Sequence, residues 1–174
     1  MLNILCIVNG YLGENCYIIH NNKYALIVDP GSEGNRIINE IDKNNLEVVG
    51  ILITHYHFDH IGALDELKDN YNCIIVDYKN RVNKIKDFKF EIIENYGHTM
   101  DSVSYYFKKD KLLFCGDFVF KETIGNYDIE NEYTMFDSLE KFKKLDKNIV
   151  VYPGHGEKTT VGYEINNNPY LRGF

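Results

Sequence analysis

Residues 54–60 read Thr-His-Tyr-His-Phe-Asp-His, THYHFDH. The chain has six histidines in 174 residues, and three of them stand in this stretch beside an aspartate. The run before it, Val48 to Ile53, is continuous and rich in β-branched side chains, the pattern of a strand buried on both faces. After it, Ile61, Leu64 and Leu67 fall on one face of a predicted helix over 61–67. Imidazole and carboxylate are therefore gathered where a buried strand ends, a place where rigid scaffolds carry chemistry.

Further out, Leu2–Val8, Cys16–Ile19 and Tyr24–Val28 read as short strands separated by Gly- and Asn-rich turns, and Asp29-Pro30-Gly31 breaks the third. Asn35–Asp42 has helical spacing, with Ile37, Ile38 and Ile41 on one side. Cys73–Val76 is strand-like, and Val103–Phe107 with Lys111–Phe114 predicts a hairpin around Lys108-Lys109-Asp110. An amphipathic helix over Met135–Leu145 leads into a strand over Ile149–Tyr152. Strands and helices alternate, so the class is α/β or mixed α+β, in one domain over residues 1–174.

Three more ligand-type residues sit at predicted strand ends. His98 lies in Tyr-Gly-His-Thr, Asp117 closes Phe-Cys-Gly-Asp, and His155 stands in Pro-Gly-His-Gly. Neutral imidazole and carboxylate are the ligands that zinc, iron and manganese take. His55, His57, Asp59, His60, His98, Asp117 and His155 are too many for one tetrahedral ion and suit two ions sharing a carboxylate. A single histidine before a helix is ordinarily a cap or a packed residue. Four separate loops acquiring ligand residues together is what identifies a metal site. His20 has no such context and reads as a surface or core histidine. Asp29 either closes an Asx turn or orients a ligating imidazole from behind. Cys115 reads as a packed strand residue rather than a nucleophile.

Composition bounds the partners. A net charge of −7 and a pI near 5.3 disfavour nucleic acid and anionic membrane, since both select a basic face. No stretch approaches the ~20 apolar residues that span a bilayer, and MLNILCIVNG lacks the basic start of a signal peptide, so a cytoplasmic protein is expected. Four scattered cysteines without a CxxC pair read as reduced, mostly buried thiols. Lys79, Arg81, Lys84 and Lys86 read as a solvated helix face, or as a basic rim for an anionic thiol carrier.

The set THYHFDH, His98, Asp117 and His155 resembles the metallo-β-lactamase superfamily signature HxHxDH…H…D…H. The resemblance covers nearly the whole chain. Glu-Asn-Cys-Tyr-Ile-Ile and Leu-Ile-Val-Asp-Pro-Gly match its opening strands. Phe-Cys-Gly-Asp, Tyr-Pro-Gly-His-Gly and Asn-Pro-Tyr-Leu are similar to its glyoxalase II-like branch, including short bacterial forms. The implied fold is an α+β, four-layer αββα sandwich. The implied cofactor is two divalent ions, zinc first, with iron or manganese also fitting. His55, His57 and His98 would hold one ion, and Asp59, His60 and His155 the other, with Asp117 bridging. Asp59 and Asp117 would then serve catalysis around a metal-held hydroxide. The implied activity is hydrolysis of a small thioester, whose thiolate leaves with a pKa near ~8.5 and needs little protonation.

Some features depart from that branch. Gly125-Asn126 stands where short forms often have Gly-Arg, and Met100-Asp101-Ser102 follows Gly-His-Thr where Pro-Gly-His is common. The sequence given ends about where the glutathione-holding helical domain of glyoxalase II would begin. The acyl group, the thiol carrier and the oligomeric state are not fixed by these residues. A mononuclear iron persulfide dioxygenase on the same fold, a lactone or phosphodiester hydrolase, and a non-catalytic metal-binding domain are the alternatives.

Overall fold

A computed structural model of the chain describes residues 2–172. They fall into two compact units with the boundary between Lys89 and Phe90.

The first unit is built on one mixed sheet in the order β1 (Asn3–Asn9), β2 (Glu14–His20), β3 (Tyr24–Val28), β4 (Glu47–Leu52), β5 (Ile74–Val76). The first three strands are antiparallel, while β3–β4 and β4–β5 are parallel, so β4 is an interior strand flanked on both sides. This explains its unbroken apolar run: five of its six residues are buried. The parallel connections are made by α1 (Gly34–Lys43) and by α2 (Phe58–Ile61) with α3 (Leu64–Asn70). Ile37 and Ile41 of α1 and Leu67 of α3 pack with Ile18, Ile27 and Ile51 of the sheet, and each is fully buried.

The helix expected over 61–67 is interrupted. A side-chain carbon on Gly62 would lie 2.3 Å from the Gly31 carbonyl oxygen, and the Ala63 amide donates to Pro30 rather than back along a helix. The chain thus spends two residues docking on the Asp29-Pro30-Gly31 turn before helix resumes. A short hairpin, β6 (Lys84–Ile85) and β7 (Phe88–Lys89), occupies the segment expected as a basic helix face, so that reading is corrected. Phe88 and Ile85 are buried while Lys84 and Lys86 are exposed, an alternation of period two rather than 3.6.

The second unit carries a mixed sheet in the order β14 (Thr159–Thr160), β13 (Val150–Pro153), β10 (Leu112–Gly116), β9 (Val103–Phe107), β8 (Glu91–Glu94). The β9–β10 hairpin forms as expected, with Tyr105 opposite Phe114. A ribbon of β11 (Val119–Phe120) and β12 (Thr123–Ile124) follows, then α4 (Glu132–Phe142) and, after β14, α5 (Val161–Asn167). Met135, Leu139 and Phe142 of α4 pack on Leu113, Phe118 and Val151. β10 and β13 are parallel, and their register shifts between Phe114 and Gly116. Gly116, with φ of +53°, takes the left-handed turn there, and Gly154 donates to its carbonyl at 2.9 Å. The carboxyl ends of the two strands are thereby tied side by side.

Of the four thiols, Cys16 and Cys115 are buried, Cys73 is half-buried and Cys6 is exposed, so burial holds for two rather than for most. Among the described residues no helix is long and apolar enough to cross a membrane.

Candidate metal centre

Parallel pairing decides which residues meet in the first unit. β3 and β4 run the same way, so the residues after each emerge together: the Asp29 amide donates to Leu52, and the Asp29 carboxylate accepts from Thr54. Asp29 Oδ1 takes the Thr54 amide at 2.7 Å, and Oδ2 takes the Thr54 hydroxyl at 2.6 Å and His60 Nδ1 at 3.0 Å. A carboxylate only accepts, so the His60 proton sits on Nδ1 and Nε2 carries the lone pair. Of the two readings left open for Asp29, orientation of an imidazole is the one its contacts match. The Thr54 hydroxyl proton is committed to Asp29, so its oxygen accepts from His55 Nδ1 at 3.0 Å and leaves His55 Nε2 as an acceptor.

His55 Nε2 and His57 Nδ1 lie 3.2 Å apart. Two nitrogens bound to one zinc at about 2.0–2.1 Å with a tetrahedral angle would be about 3.3 Å apart, so this separation fits one edge of a coordination sphere. Asp59 Oδ2 stands 3.9 Å from His60 Nε2. Buried Glu14 belongs here too, with Oε1 at 3.9 Å from His60 Nδ1. Its charge, after burial itself, helps push the Cys16 thiol well above its ordinary pKa.

The second unit gathers the other donors. Asp117 follows β10 and His155 follows β13, whose parallel ends are tied at Gly116 and Gly154. His98 donates from Nδ1 to the Asn126 carbonyl at 2.5 Å, so its Nε2 also carries the lone pair. One oxygen of Asp117, Oδ2, lies 3.7 Å from His98 Nε2 and 3.5 Å from His155 Nε2. A single carboxylate oxygen faces both imidazoles, as a shared ligand would. A glycine stands behind each of the two aspartates. A side-chain carbon at Gly31 would come within 1.8 Å of the Asp59 carbonyl, and one at Gly125 within 1.8 Å of the Asp117 carbonyl.

Residues 9–89 and 74–155 match the family described as the metallo-beta-lactamase superfamily. The chain belongs to the metallo-β-lactamase superfamily. The chain is 32% identical to the Bacillus subtilis "Probable metallo-hydrolase YqgX", over 95% of each chain. It is 29% identical to the Haemophilus influenzae "Hydroxyacylglutathione hydrolase GloC", over 98% of each. The solved structure of the BLEG-1 B3 metallo-beta-lactamase superposes with a TM-score of 0.91 at 30% identity, covering 98% of this chain and 100% of its own. The α+β fold of the superfamily is thus the fold of this chain, and at this level the protein is a metal-binding hydrolase.

Each unit therefore brings together its own share of the expected ligands: His55, His57, Asp59 and His60 in the first, His98, Asp117 and His155 in the second. The donor set fits a divalent ion, because each histidine whose proton is fixed by a neighbour has its lone pair on the nitrogen facing another donor. Three supporting groups were not read from the sequence: the Thr54 hydroxyl, the buried Glu14 carboxylate and the Asn126 carbonyl. Thr54 and Glu14 stood inside quoted motifs, but a side chain acting behind a ligand leaves no spacing signal. The Asn126 contact is main-chain, so the departure from Gly-Arg at Gly125-Asn126 leaves this support of His98 in place. His20, at the end of β2, is buried, and its Nδ1 accepts from the Asn22 amide.

Proposed function

We propose that the protein is a dinuclear metal-dependent hydrolase of small thioesters. In this reading His55, His57 and His98 hold one ion, Asp59, His60 and His155 hold the other, and Asp117 is shared. The observation that carries it is the placement of Asp117 Oδ2 opposite both His98 Nε2 and His155 Nε2. The metallo-hydrolase and hydroxyacylglutathione hydrolase relatives support the reaction class. Zinc fits the nitrogen-rich set, and iron or manganese would be accepted by the same donors.

When bound, two such ions lower the pKa of a shared water and polarise an acyl carbonyl. The protein's own contribution is orientation. Asp29 and Thr54 fix the protons of His60 and His55, and Asn126 fixes that of His98, so ligand nitrogens need no rearrangement on loading. Asp59 and Asp117 bring the negative charge that balances the cations, and Asp117 is the carboxylate placed to hold a proton beside the reacting carbonyl. Cys115 is buried within the second unit's core, with its thiol directed at the Val119 carbonyl 3.4 Å away, so it has no part in the attack. A thiolate leaves without a protein acid because its ordinary pKa is near ~8.5. The expected partner is a small molecule rather than nucleic acid, given the net charge of −7.

The test is a turnover screen of the metal-defined protein against thioesters, β-lactams, lactones, phosphodiesters and persulfides. Thioesters should exceed every other class by at least about tenfold in kcat/KM, a barrier difference of about 1.4 kcal/mol. Oxidation of persulfides with a single bound iron, in place of thioester hydrolysis, would overturn the reading.

A further inference from the structure

Beside Asp59 the first unit holds a cavity of about 310 Å³ whose polar lining is unusual. Its charged side chains are all carboxylates: Glu14, Glu33, Asp59 and Glu66. No lysine or arginine lines it. Asn9, 2% exposed, lies at its base with Nδ2 donating to the Ser32 carbonyl at 2.8 Å. The same amide's Oδ1 is buried and meets no hydrogen-bond donor among the described residues. A buried amide oxygen left in that state costs about 1–3 kcal/mol, so a site that retains it is shaped for a donor that arrives from outside.

The four carboxylates are not equivalent. Arg36 neutralises Glu33 at 3.1 Å, and Asp59 belongs to the proposed metal set. Glu66 is exposed on α3 and lines the cavity with no ion pair of its own among the described residues. The buried Glu14 lines it too. The remaining lining is aromatic and apolar: Tyr11, 88% exposed, and Phe58, 64% exposed, stand on the β1–β2 turn and on α2. Such rings are ill-placed in water and well placed against a cation that carries alkyl groups.

The geometry points to this cavity as the subsite for an alkylammonium group on the substrate. It rests on the hydrolase reading for its place beside Asp59, and it narrows the substrate to thioesters carrying a protonated amine. An anionic carrier would meet only acceptors and like charge. A protonated amine supplies an N–H donor for Asn9 Oδ1, a charge for Glu66 and Glu14, and methylene surface for Tyr11 and Phe58.

Two measurements on the metal-loaded protein test it. In the first, isobutylammonium, isobutanol and isobutyrate are titrated separately and followed by amide NMR shifts. The ammonium should bind at least about tenfold more tightly than the alcohol and perturb the amides of Asn9 to Leu12 and Glu66, and isobutyrate should not bind. Glu66→Gln should weaken ammonium binding about fivefold or more, and Asn9→Ala likewise; Glu33→Gln, already paired with Arg36, should weaken it less. In the second, one acyl group is presented as the thioester of 2-(dimethylamino)ethanethiol and of its neutral isostere 3-methylbutanethiol. The kcat/KM ratio should favour the cation by about tenfold and fall toward unity in Glu66→Gln. Equal binding of ammonium and alcohol, or a ratio untouched by Glu66→Gln, overturns the subsite. Ammonium binding as described with neither thioester hydrolysed would retain the subsite and reject the thioester reading. Equal turnover of both thioesters with no ammonium binding would retain the hydrolase and reject the subsite.

Discussion

Asp29→Asn should damage metal binding without touching a ligand. Asp29 is 2% exposed and accepts three hydrogen bonds: from the Thr54 amide, the Thr54 hydroxyl and His60 Nδ1. The Thr54 amide cannot reverse its polarity, so the new side-chain oxygen must stay opposite it. The new NH₂ then replaces Oδ2 and becomes a donor where two donors already point. His60 responds by moving its proton to Nε2, the atom facing Asp59. The Thr54 hydroxyl responds by turning toward His55 Nδ1 at 3.0 Å, which moves the His55 proton to Nε2, the atom opposite His57. One isosteric change thus turns two ligand lone pairs away from the metals. Loss of such a supporting carboxylate lowers metal affinity about 10–100-fold, or about 1.4–2.7 kcal/mol. Because both rings are affected, the upper end is expected for at least one ion. Competition against a chromophoric chelator measures the affinities, and imidazole ¹⁵N shifts of the metal-free protein report the proton positions. Both ions held within twofold of wild type, by a folded variant with unchanged tautomers, would refute the reasoning.

Gly125→Ala places a methyl group 1.8 Å from the Asp117 carbonyl and 3.2 Å from His98 Nδ1, so it should displace both and reduce metal occupancy of the variant, with about 1–3 kcal/mol lost in thermal unfolding. Burial lowers the pKa of His20 below 6.5. The unfolded chain therefore takes up a proton that the folded chain resists, so stability is fully present above pH ~6.5 and declines as pH falls below it. His20→Gln should shrink the drop in melting temperature between pH 7.5 and pH 5 relative to wild type. Iodoacetamide on the native protein should modify exposed Cys6 first and leave Cys16 and Cys115 untouched until denaturant is added, as read by mass spectrometry.

Most of the ligand set was legible because ligands announce themselves by residue type: five histidines at strand ends in a chain with six. The strands that present them were legible for a related reason, since β4 carries the apolar run of an interior parallel strand. What escaped was set by contacts remote in sequence. The break between α2 and α3 depends on the Gly31 carbonyl, and periodicity alone reads a continuous helix across it. The β6–β7 hairpin looked helical because its lysines dominate a segment whose two apolar anchors, Ile85 and Phe88, stand three apart. Strand β8 carries only Ile92 and Ile93 between glutamates, too little to mark a strand before its pairing with β9 is known. Asp29 was divided between two roles in the sequence, and the parallel pairing of β3 with β4 is what places it behind His60.

The central claim is that two ions bridged by Asp117 support thioester hydrolysis. Its most direct test is the rate of thioester hydrolysis by metal-free protein as zinc is added from zero to three equivalents per chain. The rate should rise until two equivalents are bound and then level, and Asp117→Ala should show no such second step. Levelling at one equivalent, or a rate in Asp117→Ala equal to wild type, would contradict the account.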